Sequence, residues 1–133
     1  MQVMGSYIYI PVSDLRLSAE WYKENFGLIT VKEDDLYLEL RSASGVRVML
    51  IDNEQNITSH MNYSTGTQAA YGFVIHNITE VFRDLVAKGI EVTPITDYQG
   101  LSFKFFDPDR NIIELWGDYP DVGWTIFEPL RNE

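Results

Sequence analysis

One acidic side chain lies where the sequence pattern predicts a buried or cavity-lining strand face. In residues 105–116, two apolar runs flank a cluster of turn-forming residues at 107–111, which predicts a strand–turn–strand unit. Because side chains alternate along a strand, Ile112, Glu114 and Trp116 share one face. An ionised carboxylate that leaves water without a partner costs several kcal/mol, so Glu114 must be paired, metal-bound or protonated. Glu114 is therefore the first candidate for a functional residue.

Glu114 could serve more than one kind of chemistry. As a general base it would need a pKa raised by burial, whereas a cationic group on a ligand would keep it ionised as an anchor. The structural alternative is an ion pair with Arg47, which strand parity places on the same inner face as Met49. The sequence leaves these alternatives open.

Other side chains are predicted to share a ligand cavity with Glu114. Ala70 and Gly72 would leave room for a flat ligand, and His76 follows them on the same strand face. His76 is then either a surface residue or a proton shuttle or replacement ligand at the rim, whereas His60 is expected to be solvated. The predicted lining is mostly apolar and aromatic, as in small-molecule pockets, and consists of Tyr7, Tyr9, Met49, Phe103, Phe105 and Trp116, with Arg47 beside them.

The composition argues against several classes of function. A net charge of −10 disfavours nucleic acid and anionic membranes as partners, and it is compatible with a cationic ligand. The absence of cysteine excludes disulfides, thiolate nucleophiles and cysteine-ligated zinc, and two histidines are too few for a His-rich metal centre. Neither a transmembrane-length apolar run nor a signal peptide is present, which predicts a cytoplasmic protein.

The elements that position these residues occur twice in the same order. The chain of 133 residues is long enough for one domain with a real core. In the first unit, Ser13-Asp14 and Gly27 bracket a predicted helix. This first module, about residues 5–52, is predicted to contain a strand at 7–12, a helix at 15–26 and strands at 28–31, 36–41 and 46–52.

The same order restarts at residue 70 after a polar connector at 53–69. The second module, about residues 70–117, is predicted to have a strand at 70–76, a helix capped by Asn77 and ended by Gly89, and strands at 90–95, 101–107 and 111–116. Residues 118–133 form a tail in which Trp124, Ile126 and Phe127 make an apolar patch, expected to pack on the domain or on a second subunit. The expected class is α+β, with two tandem strand–helix–three-strand modules.

Two motifs resemble those of the vicinal oxygen chelate superfamily, which includes glyoxalases, bleomycin-resistance proteins and extradiol dioxygenases. The first comprises residues 12–15, followed by residues 21–22 and 26–28. The second is the closing signature at residues 106–115, in which Arg110 stands where that superfamily usually has glycine. The resemblance implies a cupped, eight-stranded mixed sheet made by the two modules of a single glyoxalase/bleomycin-resistance-like domain, usually in a homodimer.

The resemblance also implies where a divalent metal would be bound inside the cup. The four ligand positions of the enzymes correspond here to Tyr7, Met49, Ala70 and Glu114. Alanine has no donor atom and a thioether is a poor ligand for hard or borderline divalent ions, so the expectation is that this chain has no metal cofactor.

The leading functional expectation is a small-molecule-binding protein that sequesters a cationic or aromatic compound. The first alternative is a divalent-metal-dependent lyase, isomerase or dioxygenase with an altered ligand set such as Glu114, His76 and Tyr7. The second alternative is a metal-free enzyme that uses Glu114 as its base. Nothing in the sequence names the ligand.

Overall fold

The computed structural model describes residues 1–54, 57–97 and 99–118, and it confirms the α+β class with two strand–helix–three-strand modules. In the first module the strand order is β1-β4-β3-β2, with β1 parallel to β4 and the other pairs antiparallel. Its elements are β1 (Ile8–Val12), α1 (Leu15–Phe26), β2 (Ile29–Glu33), β3 (Tyr37–Arg41) and β4 (Arg47–Asp52).

The second module repeats this topology after a hairpin of β5 (His60–Tyr63) and β6 (Gly66–Ala69). Its elements are β7 (Gly72–Ile75), α2 (Ile78–Ala87), β8 (Thr96–Asp97), β9 (Leu101–Phe106) and β10 (Ile112–Gly117), in the order β7-β10-β9-β8. Among the described residues the two modules form separate four-stranded sheets, in which β1 and β2 are the edge strands of the first and β7 and β8 those of the second.

Helix α1 begins and ends where its capping residues predict. The Asp14 carboxylate accepts a hydrogen bond of 3.0 Å from the Leu17 N–H, and Gly27 has the left-handed φ of 66° that glycine adopts readily. The prediction that Asn77 caps α2 is wrong in its chemistry. The Asn77 side chain makes no cap, and the Asp118 carboxylate accepts from the N–H groups of Asn77 and Ile78 at 3.1 and 2.9 Å.

Two segments differ from their predicted structure. The connector contains the β5–β6 hairpin, in which four successive residues of each short, mostly polar strand pair across the turn that precedes Gly66. The strand predicted at 90–95 is reduced to a single bridge between Val92 and Phe105, and β8 begins after it at Thr96. Pro94 has no N–H to donate, which prevents a regular ladder through this segment.

The hydrophobic core lies where the sheets face the helices. Phe26 stacks on Phe105 at a ring-centroid distance of 4.6 Å and also contacts Phe73, so a side chain of α1 packs against strands of the second module. Both modules therefore share one core. Its fully buried members include Ile10, Val12, Tyr22, Leu40, Val48, Leu50, Ile78, Leu85, Ile113 and Leu115.

The turn between β9 and β10 is a buried hydrogen-bonding centre built on Asp107. The Asp107 side chain is only 3% exposed, and it accepts from the Tyr22 hydroxyl and the Asn111 side-chain amide, both at 2.8 Å. The same carboxylate accepts from the backbone N–H groups of Asp109 and Asn111 at 2.9 and 2.8 Å. Four donors therefore converge on one carboxylate, which fixes the turn against α1.

Neighbours of Asp107 join this turn to the start of the chain. The Asn111 side-chain amide donates to the Pro11 carbonyl at 2.8 Å, and its oxygen accepts from the Ser59 N–H at 2.9 Å. The Asp109 carboxylate accepts from the Ser13 N–H at 3.1 Å. These bonds hold the end of β1 against the second module and so set the relation between the two sheets.

Burial of Asp107 predicts a pH dependence of stability. Burial raises the pKa of Asp107 above its ordinary value, although the hydrogen bonds from Asn111 and Tyr22 act to lower it. The folded chain therefore binds this proton more tightly than the unfolded chain. The resulting stabilisation is complete below about pH 4 and is lost as the pH rises through the raised pKa.

We expect urea unfolding, repeated in steps from about pH 4 to pH 7, to show this loss in the wild-type chain relative to Asp107→Asn. The amide does not titrate, so it serves as the reference at each pH. A difference in unfolding free energy that stays constant, or that changes in favour of the wild-type chain as pH rises, would contradict the prediction.

No helix among the described residues is long and apolar enough to cross a membrane. The predicted apolar patch of Trp124, Ile126 and Phe127 lies outside the described residues.

Candidate functional site

Each sheet has an open face, which we define as the face opposite the helices. In the first module Tyr9, Glu39 and Met49 are cross-strand neighbours on this face, while Leu38, Leu40, Val48 and Leu50 point into the core. Alternation along β1 places Tyr7 and Tyr9 on the open face, where they are 53% and 49% exposed. A pair of large aromatic side chains is thus available to solvent on a sheet face.

The two tyrosines form an ordered aromatic pair. Their rings meet edge to face at a centroid distance of 5.2 Å, which is a favourable aromatic geometry. The neighbouring Tyr7 side chain, followed by desolvation and the charge effect of Tyr37, raises the pKa of Tyr9. The guanidinium carbon of Arg47 lies 6.0 Å from the centre of the Tyr7 ring. Tyr7 therefore connects an aromatic pair to a cation.

Beside this pair, one carboxylate is shared by two guanidinium groups. Glu39 is 6% exposed and accepts from Arg41 Nε at 2.7 Å, and a longer bond of 3.4 Å joins it to Arg47 Nη2. These bonds from Arg41 and Arg47 lower the pKa of Glu39. Arg47 Nε is buried and lies 3.4 Å from Glu39 Oε2, but it has no hydrogen-bond partner in the part of the chain that the structure describes. Arg41 is therefore the closer partner of the carboxylate, and Arg47 is incompletely neutralised.

Arg47 and Tyr7 also line an open groove between the two modules, which we call the β1–β7 groove. Its walls are residues 5–8, residues 44–47 and residues 72–74, and its volume is about 470 Å³. Arg47 is the one charged residue in these three segments. A cavity of about 100 Å³ adjoins the groove and shares Ser44, Val46, Phe73 and Val74 with it. The volume is in the range of pockets for small organic molecules.

Gly72 belongs to this groove for a reason that differs from the prediction. A Cβ atom at this position would lie 2.5 Å from the Glu114 carbonyl oxygen, because β7 and β10 approach closely there. The absence of a side chain at Gly72 thus permits strand pairing, and it also means that no side chain extends from this position into the groove. The structure therefore brings together Tyr7, Arg47 and Gly72 of the predicted residues.

Glu114 lies elsewhere, on the open face of the second sheet. Its cross-strand neighbours are Lys104 on β9 and Gly72 on β7, and it is half-buried. The proposed ion pair with Arg47 is not formed, because the carboxylate that Arg47 contacts is Glu39. Among the described residues, the Glu114 side chain makes no hydrogen bond or ion pair. Trp116 shares this face and is half-buried.

The prediction that Phe103 and Phe105 line the ligand cavity is wrong. Both are buried on the helix side, where Phe103 meets Phe82 edge to face at 5.2 Å and Phe105 stacks on Phe26. The cross-strand pairing of Glu114 with Lys104 shows that even-numbered residues of β9 carry the open face. A strand between a helix layer and an open face buries one of its two sets of side chains, and on β9 the buried set contains Phe103 and Phe105.

Of the remaining predicted residues, Met49 is half-buried on the first open face, whereas Ala70 and His76 are exposed and lie just outside the two ends of β7. His76 lies four residues beyond Gly72, the partner of Glu114, or about 13 Å along the strand. Glu114 and His76 therefore do not form a compact ligand set. His60, expected to be solvated, is half-buried, and its Nδ1 has no hydrogen-bond partner among the described residues.

Comparison with known proteins establishes the family. A sequence model of the Glyoxalase/Bleomycin resistance protein/Dioxygenase superfamily matches residues 5–115. The chain belongs to this superfamily. No curated protein sequence matches it significantly.

Solved structures show the same fold at low sequence identity. The fosfomycin resistance protein FosX from Listeria monocytogenes, complexed with Mn(II) and sulfate, is 19% identical with a TM-score of 0.67 over 87% of this chain and 91% of that chain. Lactoylglutathione lyase from Agrobacterium tumefaciens is 15% identical with a TM-score of 0.65 over 89% and 96%. TnmS3, an antibiotic binding protein from Streptomyces sp. CB03234, is 19% identical with a TM-score of 0.66 over 88% and 98%.

The residues at the superfamily's metal positions do not fit a divalent ion. Ala70 offers no donor and is exposed, and the Met49 thioether is too soft for Mg²⁺ or Mn²⁺. Within residues 1–54, 57–97 and 99–118, no three acidic or histidine side chains form a group that could hold a metal. Glu114 is the one strong ligand that this chain keeps at the four positions, so we derive no chemistry through a metal.

Arg110 shows how this chain replaces the superfamily's usual glycine. Its φ of 70° is in the left-handed region, where a non-glycine residue is strained. The guanidinium carbon lies 4.4 Å from the centre of the Phe106 ring, and Nη2 is 3.1 Å from the Glu91 carboxylate. Glycine could make neither of these contacts.

Sequence reasoning missed Glu39, although a signal was present. Tyr37, Glu39 and Arg41 alternate with Leu38 and Leu40, so the charged residues were visible on the face opposite the core. The antiparallel pairing that places Arg41 opposite Arg47 then brings two guanidinium groups to one carboxylate. The pairing of Glu39 with Arg41 and Arg47 therefore follows from the register of β3 against β4 and not from the sequence pattern.

Proposed function

We propose that this chain is a metal-independent binding protein for a small, partly aromatic molecule, and that the β1–β7 groove holds it. The observation that carries the proposal is the joining of Tyr7, Gly72 and Arg47 in one groove of about 470 Å³ between the modules. Tyr7, which lines the groove, forms an exposed edge-to-face pair with Tyr9 and offers a surface on which a flat ring can stack.

Two further features support this choice over the alternatives. The donor set at the superfamily's metal positions is poor, which argues against a metal-dependent lyase, isomerase or dioxygenase. The groove carries a positive charge at Arg47, which disfavours a cationic ligand there. Of the two ligand types expected from the sequence, the aromatic one is therefore retained. The homodimer implied by the superfamily stays a prediction.

Binding of a neutral fluorescent aromatic compound tests the proposal. We expect anthracenecarboxamide to bind saturably, with an affinity that EDTA does not change. Tyr7→Ala should weaken binding about fivefold, because an aromatic contact is worth about 1 kcal/mol. Fluorescence titration of the purified chain gives both results.

Tyr63→Ala is the matched control for this experiment. Tyr63 is 60% exposed, close to the exposure of Tyr7, but it lies on the β5–β6 hairpin and contributes nothing to the groove. We expect it to leave the affinity unchanged. Absence of saturable binding, or equal losses in the two variants, would contradict the proposed function.

A further inference from the structure

The charge arrangement around the β1–β7 groove specifies more than an aromatic ligand. Arg47 is the one charged residue among the groove segments, and its side chain remains 41% exposed. The chain as a whole has a net charge of −10, so this cation is not part of a generally basic surface. A single guanidinium in an otherwise uncharged groove favours an anionic group on the bound molecule.

Glu39, the partner of Arg47, uses only part of the hydrogen-bonding capacity of the Arg47 guanidinium. Glu39 is held most closely by Arg41, at 2.7 Å, and both contacts of Arg47 with it are 3.4 Å long. Two guanidinium groups against one carboxylate leave a local charge of +1 at any pH at which Glu39 is ionised. The buried Nε of Arg47 also has no hydrogen-bond partner among the described residues. Because Nε itself is shielded from solvent, a ligand would bind the exposed part of the Arg47 side chain, and an oxyanion is the acceptor that best suits a guanidinium.

The neighbouring surfaces indicate what else such a ligand would carry. The hydroxyl-bearing residues Ser6 and Ser44 lie in the groove walls, and the adjoining cavity is lined mainly by apolar residues such as Phe26, Leu28 and Ile75. An acceptor-rich head near Arg47 and an apolar body directed toward this cavity would match both environments.

From these observations we propose that Arg47 is an anion-recognition residue and that the groove takes a carboxylate attached to a flat or apolar body. This inference rests on the proposed function and names the chemical class of its ligand. Glu39 acts as an internal competitor, because its carboxylate occupies part of the guanidinium that the ligand would bind.

Paired probes test the inference. Anthracenecarboxylate differs from anthracenecarboxamide by its charge, and we expect the wild-type chain to prefer the carboxylate. Arg47→Met should lower the affinity for the carboxylate about tenfold or more, since hydrogen bonds to charged groups are the strong ones, and should lower it by a clearly larger factor than the affinity for the carboxamide. Arg16→Met is the matched control, because it removes the same charge at an exposed position paired with Glu33, away from the groove.

A second variant tests the same inference through a predicted gain of affinity instead of a loss. Glu39→Gln removes the competing carboxylate, so affinity for anthracenecarboxylate should rise while that for the carboxamide stays constant. This gain remains informative even if Arg47→Met unfolds. Equal losses in Arg47→Met and Arg16→Met, or a lower carboxylate affinity in Glu39→Gln, would overturn the inference. Binding of the carboxamide under those conditions would leave the proposed function standing, whereas binding of neither probe would remove both.

Discussion

Asp107→Ala is expected to lower the free energy of unfolding by about 3–5 kcal/mol, a large share of the stability of a domain of this size. The substitution removes the acceptor of four hydrogen bonds in a site that is 3% exposed. The Tyr22 hydroxyl and the backbone N–H of Asn111 would be left buried without a partner, and each such group costs about 1–3 kcal/mol. Urea unfolding followed by circular dichroism measures the loss.

Asp109→Ala is the matched control in the same turn. The Asp109 carboxylate accepts from Ser13 and Asn53 at 3.1 and 3.4 Å, and this residue is half-buried, so we expect a loss of about 1 kcal/mol. If Asp107→Ala and Asp109→Ala lower the free energy of unfolding equally, Asp107 is not the residue on which the turn depends most. Because this turn joins β1 to the second module, the larger loss should also abolish probe binding in the groove.

Gly117→Ala is expected to have the second largest effect, a loss of about 3 kcal/mol. Gly117 is paired with Ile75 at the end of the parallel β7–β10 ladder, and a Cβ atom there would overlap the Ile75 carbonyl oxygen. Ile78 Cγ1, at the start of α2, would lie 3.6 Å from the same Cβ atom, which is an ordinary contact distance. Neither backbone can yield without disturbing the pairing that positions Glu114 and Trp116.

Gly5→Ala provides the comparison for Gly117→Ala. No atom lies within 4 Å of a Cβ placed at Gly5, and its φ is not left-handed, so we expect its unfolding free energy to match that of the wild-type chain. Thermal or urea unfolding of both variants decides the matter. A Gly117→Ala chain as stable as the Gly5→Ala chain would show that β7 and β10 can separate without cost.

Much of the fold follows from local patterns. Asp14 and Gly27 fix the ends of α1 by chemistry that depends on neighbouring residues only, so the helix was predicted with the bounds that the structure shows. The β5–β6 hairpin was not predicted, because its strands are short, polar and mostly exposed, and periodicity has little to detect in them. The strand at 90–95 was over-predicted, because its apolar alternation contains Pro94.

The candidate site was less accessible to sequence reasoning. Tyr7, Arg47 and Gly72 were all selected for their residue types, but the sequence placed them in a cup centred on Glu114. Phe103 and Phe105 were assigned to that cup because aromatic residues suit both a core and a pocket, and composition does not separate the two. Glu39 was missed because its importance depends on the register of β3 against β4.

The turn at residues 107–111 shows what the sequence determines and what the tertiary structure determines. The sequence by itself determined that a tight turn, a repeated module and one suspect carboxylate are present, because turn chemistry and alternation are local properties. Only the tertiary structure decided that the important carboxylates are Asp107, which holds the modules together, and Glu39, which leaves Arg47 part-neutralised. Burial and pairing depend on partners that are distant in the chain, and those partners are known only once the strands are in register.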